Sequence, residues 1–364
     1  MKFLSVVGTR PNFMKLAPLA REFARRPGFE HVIVHSGQHY DVSMSDSFFV
    51  DLEIPAPSHH LSVGSGTHAA QTAAVMASIE PVLASERPDV VLVYGDVNST
   101  MAAAITAAKM QLPVAHVEAG LRSRDRTMPE ETNRILTDHV SDLLFAPSPD
   151  GVANLEAEGI PAARVHLVGN IMIDALEQVL PRARAANARA RHGLNGEPYA
   201  VVTLHRPSNV DDPRQLRDLF CALEEVAESA VVLFPVHPRT RQKLAEMGIH
   251  EADPTRLRLL DPLGYTDMLS LVDASSLVIT DSGGLQEETT YLGVPCLTVR
   301  PNTERPITCT EGTNQLVKPE RRAIVTAARK ALLARSPERP RIHLWDGHTA
   351  ERIADVLSAH VQRR

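Results

Sequence analysis

Three carboxylates in the first half of the chain stand where proton chemistry needs them. Asp96 follows the apolar run VVLVYG, Glu118 lies in HVEAG, and Glu130 lies in MPEETNR. Asp96 and Glu118 each close a predicted strand, and neighbouring parallel strands deliver their carboxyl ends to one crevice. Several carboxylates in one crevice suit general acid–base work. Glu130 starts a predicted helix over 130–140, where it serves equally well as an N-terminal acid or as an i,i+4 partner of Arg134. His116 alternates with Glu118 along its strand. A shared metal would need a further ligand, and none has convincing spacing, so no metal is expected.

Other segments suit anions. In GTRPNFMKLAP (8–18) a glycine turn opens a helix, leaving backbone N–H groups free to meet a phosphate. Arg10 and Lys15 flank that start, where cations oppose the helix dipole unless an anion is present. A solvated basic helix start is the plain alternative. In TDSGGLQEE (280–288), Ser282, Gly283 and Gly284 again lie between a strand and a helix. Glycine lets a phosphate approach the backbone. Glu288, about one turn further, is suited to accept both hydroxyls of a ribose; a tight turn with an acid near a helix start explains the same letters. His205 and His237 end predicted strands and suit diphosphate binding or proton transfer, or plain structure. Arg305 in NTERP is one more cation near the second segment. The dinucleotide pattern GxGxxG is missing, and no cofactor is expected.

The elements that must position these residues alternate between strand and amphipathic helix, the pattern of a parallel sheet covered on both faces. Predicted strands cover 2–7, 31–35, 90–94, 113–117 and 143–146, then 200–204, 230–236, 257–260, 277–280 and 295–299. The segment from VVLVYGD to HVEAG repeats its order of elements in SLVITDSGG to PCLTVR. The fold class is therefore α/β, with two Rossmann-like domains over 1–170 and 171–348. The Arg/Ala-rich stretch 177–198 is a candidate hinge region. Residues 349–360 have amphipathic helical spacing, and the tail 349–364 is expected to return to the first domain.

Bulk properties narrow the classes. The net charge of −6 gives no general attraction to nucleic acid or anionic lipid. The start, MKFLSVVGTRP, lacks the pattern of a signal peptide, and no segment reaches membrane-spanning length. Cys221, Cys296 and Cys309 have no framework spacing, which argues for a reducing, cytoplasmic setting with small apolar thiols.

GTRPxxxKxAP, GD with a Ser/Thr turn, HVEAGLR, PEExNR, a strand-ending HR, PVH, DSGGxQEE and TERP occur in that order. In this the chain resembles the non-hydrolysing UDP-N-acetylglucosamine 2-epimerases, from Lys2 to about Arg352. The resemblance implies the GT-B arrangement of two Rossmann-like domains with the active site in the cleft, a UDP-sugar substrate, and a homodimer. Carried over by position, substrate contacts fall on Arg10, Lys15, Asp96, Glu118, His205, Ser282, Gly283, Gly284, Glu288 and Arg305. The uracil-facing loop falls on DPLGYTDM, with Leu263 and Met268 at contact positions. Catalytic groups fall on Asp96, Glu118 and Glu130, with His205 beside them. Asn12 and Phe13 replace a more frequent Glu and small apolar residue. GQHYDVSM and GSGTHAAQT differ from segments that form an activator site in other members.

The implied reaction is reversible C2 epimerisation by elimination. A base removes H2 while UDP leaves C1, and UDP returns to the glycal after reprotonation on the other face. Hydrolytic release of N-acetylmannosamine, glycosyl transfer on the same fold, and epimerisation of a related UDP-aminosugar are rival activities. A nucleotide-sugar-binding regulator without turnover is a rival of another class; binding a diphosphate requires none of the three carboxylates.

Overall fold

The structure is a computed structural model that describes residues 1–37, 52–194, 196–250, 253–334 and 338–363. It divides into two compact units, one of residues 1–177 with 343–364 and one of residues 178–342.

The first unit holds a seven-stranded parallel sheet: β1 (Lys2–Val7), β2 (Glu30–His35), β3 (His59–His60), β4 (Val90–Tyr94), β5 (Val114–Val117), β6 (Leu143–Ala146) and β7 (Val165–Leu167). The spatial order is β3-β2-β1-β4-β5-β6-β7. Every residue of β4, β5 and β6 is buried, as expected for strands covered on both faces. Ser5 interrupts the apolar run of β1; its hydroxyl meets Tyr94 Oη at 2.7 Å and His31 Nε2 at 2.8 Å inside the sheet. The helix Arg10–Arg25 starts with proline in its first turn and buries Phe13, Leu16, Leu19 and Phe23.

The tail closes on this unit. Helix Thr349–Gln362 buries Ile353, Ala354 and Leu357. Arg26 bonds Asp355 at 2.6 Å, and Trp345 donates its indole N–H to Pro147 O at 3.0 Å.

The second unit repeats the plan with six parallel strands: β8 (Tyr199–Thr203), β9 (Val231–Pro235), β10 (Leu257–Leu260), β11 (Leu277–Thr280), β12 (Cys296–Val299) and β13 (Asn314–Val317). Their order is β10-β9-β8-β11-β12-β13. β4 and β11 occupy equivalent places, each first past the point where strand order reverses. The repeated segments of the sequence are thus the crossovers next to each switch point, where open α/β sheets carry their ligands. All ten predicted strands are present. The short edge strands β3, β7 and β13 had no apolar run to announce them. Among the described residues no helix is long and apolar enough to cross a membrane.

Candidate functional site

In the first unit the carboxyl ends of β1, β4 and β5 meet. Lys15 Nζ lies 2.7 Å from Glu118 Oε2, and both side chains are almost wholly enclosed. Beneath them is Gly95, at φ +63°, where a Cβ would stand 3.0 Å from Lys15 Nζ and 3.2 Å from Glu118 Oε2. Only glycine leaves that pair in place. Glu118 itself has φ +77°, a left-handed conformation for a side-chain-bearing residue at a strand end. Such a conformation persists only where the surroundings enforce it.

The enforcement is visible. The N–H groups of Glu118 and Ala119 both donate to Phe145 O, at 3.1 and 3.0 Å. On either side of Glu118 the chain is tied to one fully enclosed carboxylate. Asp138 takes His116 Nδ1 at 2.6 Å, Gly120 N at 3.1 Å and Arg122 at 2.7 Å. Burial alone would raise the Asp138 carboxyl; His116 and Arg122 outweigh it and hold it below the usual carboxylate range. The other nitrogen of His116 donates to Gly95 O at 2.8 Å. His116 is therefore a structural tie between β5 and the Gly95 turn, and among the described residues no cluster suits a metal.

Asn12 fastens the first turn. Its amide oxygen accepts from Gly8 N and Thr9 N, each at 3.1 Å, and its amide N–H donates to Tyr94 O at 2.8 Å. Arg10 opens the helix, but its side chain lies outside the described residues, as do Gln38–Met44 of GQHYDVSM.

The PEETNR helix, Pro129–Val140, faces the Asp96 loop differently from expectation. Arg134 does not pair with Glu130. It bonds Asp96 Oδ2 through two nitrogens at 2.7 and 3.0 Å, and Glu131 at 2.6 Å. Asn133 donates to Asp96 O at 2.8 Å. Glu131 is the buried acid of the pair. Burial works to raise its carboxyl, but N–H donors of Ser123 and Arg124, the Ser123 hydroxyl and Arg134 hold it below its ordinary value. Glu130, half-buried in the first turn, is not engaged by Arg134. Sequence reasoning missed Glu131, Asn133 and Asp138 and gave Arg134 another partner; Glu131, Arg134 and Asp138 recur at i, i+3 and i+7 on one helix, and that spacing was the available signal.

In the second unit the β8 and β11 turns interlock. Asp281, completely enclosed, accepts from His205 N, Arg206 N and Asn209 Nδ2, and its Oδ1 lies 2.9 Å from His205 Nδ1. The His205 side chain is half exposed. Helix Gly283–Leu292 begins at Ser282 with no side-chain cap, so its first N–H groups are available to an anion. A Cβ at Gly283 would meet Arg305 Nη1 at 2.6 Å and Glu304 Oε1 at 2.8 Å. Arg305 is held beside that helix start by Glu287 at 2.9 Å and by Glu304.

Glu288 lies on the buried side of the same helix, where Tyr265 donates its hydroxyl at 3.1 Å. Burial pushes its carboxyl up to about 7, with Glu287 adding to the rise and the Tyr265 bond opposing it. Leu263 and Met268 flank that tyrosine and pack partly on the cluster around Val201, Leu271 and Val278. His237 caps helix Pro238–Glu246, accepting from Arg239 N at 3.3 Å, which is a structural role. The missed residue here is Asp281, the first letter of DSGG, which was passed over for the small residues after it. Cys221, Cys296 and Cys309 are free thiols.

A family model described as UDP-N-acetylglucosamine 2-epimerase matches residues 21–358. The UDP-N-acetylglucosamine 2-epimerase of Methanocaldococcus jannaschii is 40% identical over 367 residues, covering 98% of this chain and 99% of the relative. A UDP-2,3-diacetamido-2,3-dideoxy-D-glucuronate 2-epimerase of Pseudomonas aeruginosa is also 40% identical, over 361 residues, with coverage of 98% and 99%. The crystal structure of the Methanocaldococcus jannaschii UDP-GlcNAc 2-epimerase in complex with UDP-GlcNAc and UDP matches with a TM-score of 0.90 at 40% identity, over 99% of this chain and all of that one.

Proposed function

The chain belongs to the UDP-N-acetylglucosamine 2-epimerase family, and from that premise we propose how its residues divide the work of an isomerase. The reaction is the reversible conversion of UDP-N-acetylglucosamine to UDP-N-acetylmannosamine through elimination and re-addition of UDP. C2 is not beside a carbonyl, so simple deprotonation there gains no stabilised anion. Departure of UDP from C1 as H2 is removed gives the glycal, and the electron pair of the C1–O bond leaves with the diphosphate.

The observation that carries the assignment is Glu118, a strained strand-end carboxylate 2.7 Å from Lys15. The contact puts a carboxylate suited to take H2 beside a cation suited to the departing diphosphate. Glu118, Asp96 and Glu130 handle the C2 proton on its two faces. The Ser282, Gly283 and Gly284 backbone, Arg305, His205, Arg10 and Lys15 meet the diphosphate, where fixed donors stabilise the departing charge. Glu288 accepts the ribose hydroxyls, and the loop with Leu263 and Met268 meets the uracil.

The test is incubation with UDP-N-acetylglucosamine in D2O, followed by NMR. Both epimers should acquire deuterium at C2. Turnover with protium retained rejects elimination; accumulation of free N-acetylmannosamine marks a hydrolase. A second reading, a UDP-2,3-diacetamido sugar as the preferred substrate, is favoured by the equally similar Pseudomonas aeruginosa relative. The same incubation with that sugar decides between them by kcat/KM. The reading also includes a cytoplasmic homodimer: the free thiols suit a reducing compartment, and sedimentation should give twice the monomer mass.

A further inference from the structure

His205 and Asp281 form a unit whose atoms assign a protonation pattern. Asp281 Oδ2 receives three donors: His205 N at 3.0 Å, Arg206 N at 2.9 Å and Asn209 Nδ2 at 3.0 Å. These hold the β8 turn onto the β11 turn. Oδ1 faces the imidazole, 2.9 Å from Nδ1, and takes only a second, longer approach of the His205 N–H at 3.2 Å. The pair is further fixed by Arg206, whose Nε donates to Asp281 O at 2.9 Å, and by Asp281 N, which donates to Thr203 O at 3.1 Å. Arg206 is the charged neighbour on this turn; Asn209 is neutral.

An ionised carboxylate has no hydrogen to offer, so Nδ1 must carry one to make this bond. Burial would raise Asp281, but His205 and the surrounding donors hold it below its ordinary value, so it is ionised near neutrality. The tautomer of the ring is then decided by its partner rather than by solvent. We propose that Asp281 is a positioning residue that locks His205 in the Nδ1–H form, leaving Nε2 as the one place where the ring gains or loses a proton. The proposal rests on the reading that His205 faces the diphosphate. In that setting a proton taken up at Nε2 becomes an N⁺–H donor to the leaving oxygen, and Asp281 balances the new charge. Every bond to the sugar is still broken and made as in the elimination above; only the counter-charge on UDP is assigned.

The geometry also supplies a selective variant. In Asp281→Asn, the amide oxygen takes the Oδ2 place and keeps its three turn-holding donors, and only the longer 3.2 Å contact of His205 N to Oδ1 is given up. The amide N–H then points at Nδ1 and forces it to accept, so the ring becomes the Nε2–H tautomer. Nitrogen-15 NMR of the free protein reads this without any substrate. The wild type should show a protonated Nδ1, and Asp281→Asn a protonated Nε2. A wild-type ring in the Nε2–H form overturns the proposal even if the variant does not fold, and leaves the epimerase reading untouched.

A double-mutant cycle separates positioning from plain support. Asp281→Asn alone should lower kcat at least tenfold with little change in thermal midpoint. In a His205→Gln background it should lower kcat no further. An equal loss in both backgrounds makes Asp281 a structural residue, and the proposal fails. Loss of C2 exchange in the wild type would instead reject the epimerase reading, with the tautomer result standing apart from it.

Discussion

His116 and His205 are both bonded through Nδ1 to a buried aspartate, Asp138 at 2.6 Å and Asp281 at 2.9 Å, yet the first ring is enclosed and the second is half exposed. His116 spends its other nitrogen on Gly95 O. It is a strut. His205 keeps an exposed ring on an enclosed support, which is the arrangement that leaves chemistry available. The same letters at a strand end therefore mean different things, and what decides is where the second nitrogen goes.

The carboxylates divide in a related way. In the first unit Glu118 faces Lys15, Asp96 and Glu131 share Arg134, and Asp138 faces His116 and Arg122. In the second unit Glu288 is bonded by a phenol and has another carboxylate nearby. Glu131 and Asp138, met by cations, are held below their ordinary values. Glu288, buried beside another carboxylate, is pushed up to about 7.

Three substitutions attack this contrast, in falling order of effect. Glu118→Gln keeps size and some hydrogen bonding but removes the carboxylate proposed as the base. Turnover should fall by roughly a hundredfold to ten-thousandfold, the scale of a lost general acid–base group. Calorimetric UDP affinity should stay nearly constant, and a variant that folds yet no longer binds UDP would move Glu118 into the binding framework. Asp138→Ala leaves His116 buried without its carboxylate, while Arg122 keeps Glu158, and should cost about 3–5 kcal/mol in denaturant unfolding, as breaking a buried ion pair does. A loss under about 1 kcal/mol would show that the tie is dispensable.

Glu288→Ala should weaken UDP by about 1–3 kcal/mol, the range for a lost charged hydrogen-bonding partner. pH sharpens the point. A group titrating near 7 in the free protein is mostly protonated at pH 6, so a ligand needing the carboxylate should bind roughly tenfold more weakly there than above pH 8. UDP has a phosphate that titrates too, and Glu288→Gln serves as the control. The part of the pH dependence due to Glu288 should vanish in it. If both proteins show one profile, Glu288 is not the group responsible.

Most of the architecture was legible because long apolar runs and strand-ending Gly, Asp and His are local signals. The edge strands β3, β7 and β13 carry too few apolar letters for a pattern, unlike the short edge strand β10 with its LRLL. The site was legible as a set of positions and less so as a set of bonds. Glu130 attracted attention as the first acid of PEE, but the helix turns Glu131 inward, and Arg134 bonds Asp96 across 38 residues of chain. Asp281 was missed because a buried aspartate that joins two turns has no spacing rule of its own, whereas Asp138 shared a helical spacing with Glu131 and Arg134.

Asp174 offers the mildest and cleanest check of the contrast, because it lies in the first unit and meets no cation. Its Oδ2 accepts from Ala350 N at 2.8 Å under the start of the last helix, while Oδ1 is buried without a partner. Burial pushes its carboxyl up to about 6, the Ala350 N–H and the nearby polar groups of Thr349 only partly offsetting this and Asp346 adding to it. A carboxyl raised in the folded state contributes stability that is complete below its unfolded value near 4 and is lost as pH rises through 6. Above pH 7 the ionised form is a standing cost, with a ceiling of about 3 kcal/mol for a carboxyl pushed up to about 6. Asp174→Asn retains an oxygen for Ala350 N and removes the charge, at the expense of an amide N–H where Oδ1 stood. The net gain at pH 8 should be about 1 kcal/mol, or a few degrees in Tm, shrinking to nothing or a small loss at pH 4. Thermal unfolding of both proteins at the two pH values measures this directly. A variant less stable at pH 8 than at pH 4, each relative to wild type, would mean that the helix start supports the ionised carboxylate, and that burial without a cation is not what sets this acid apart.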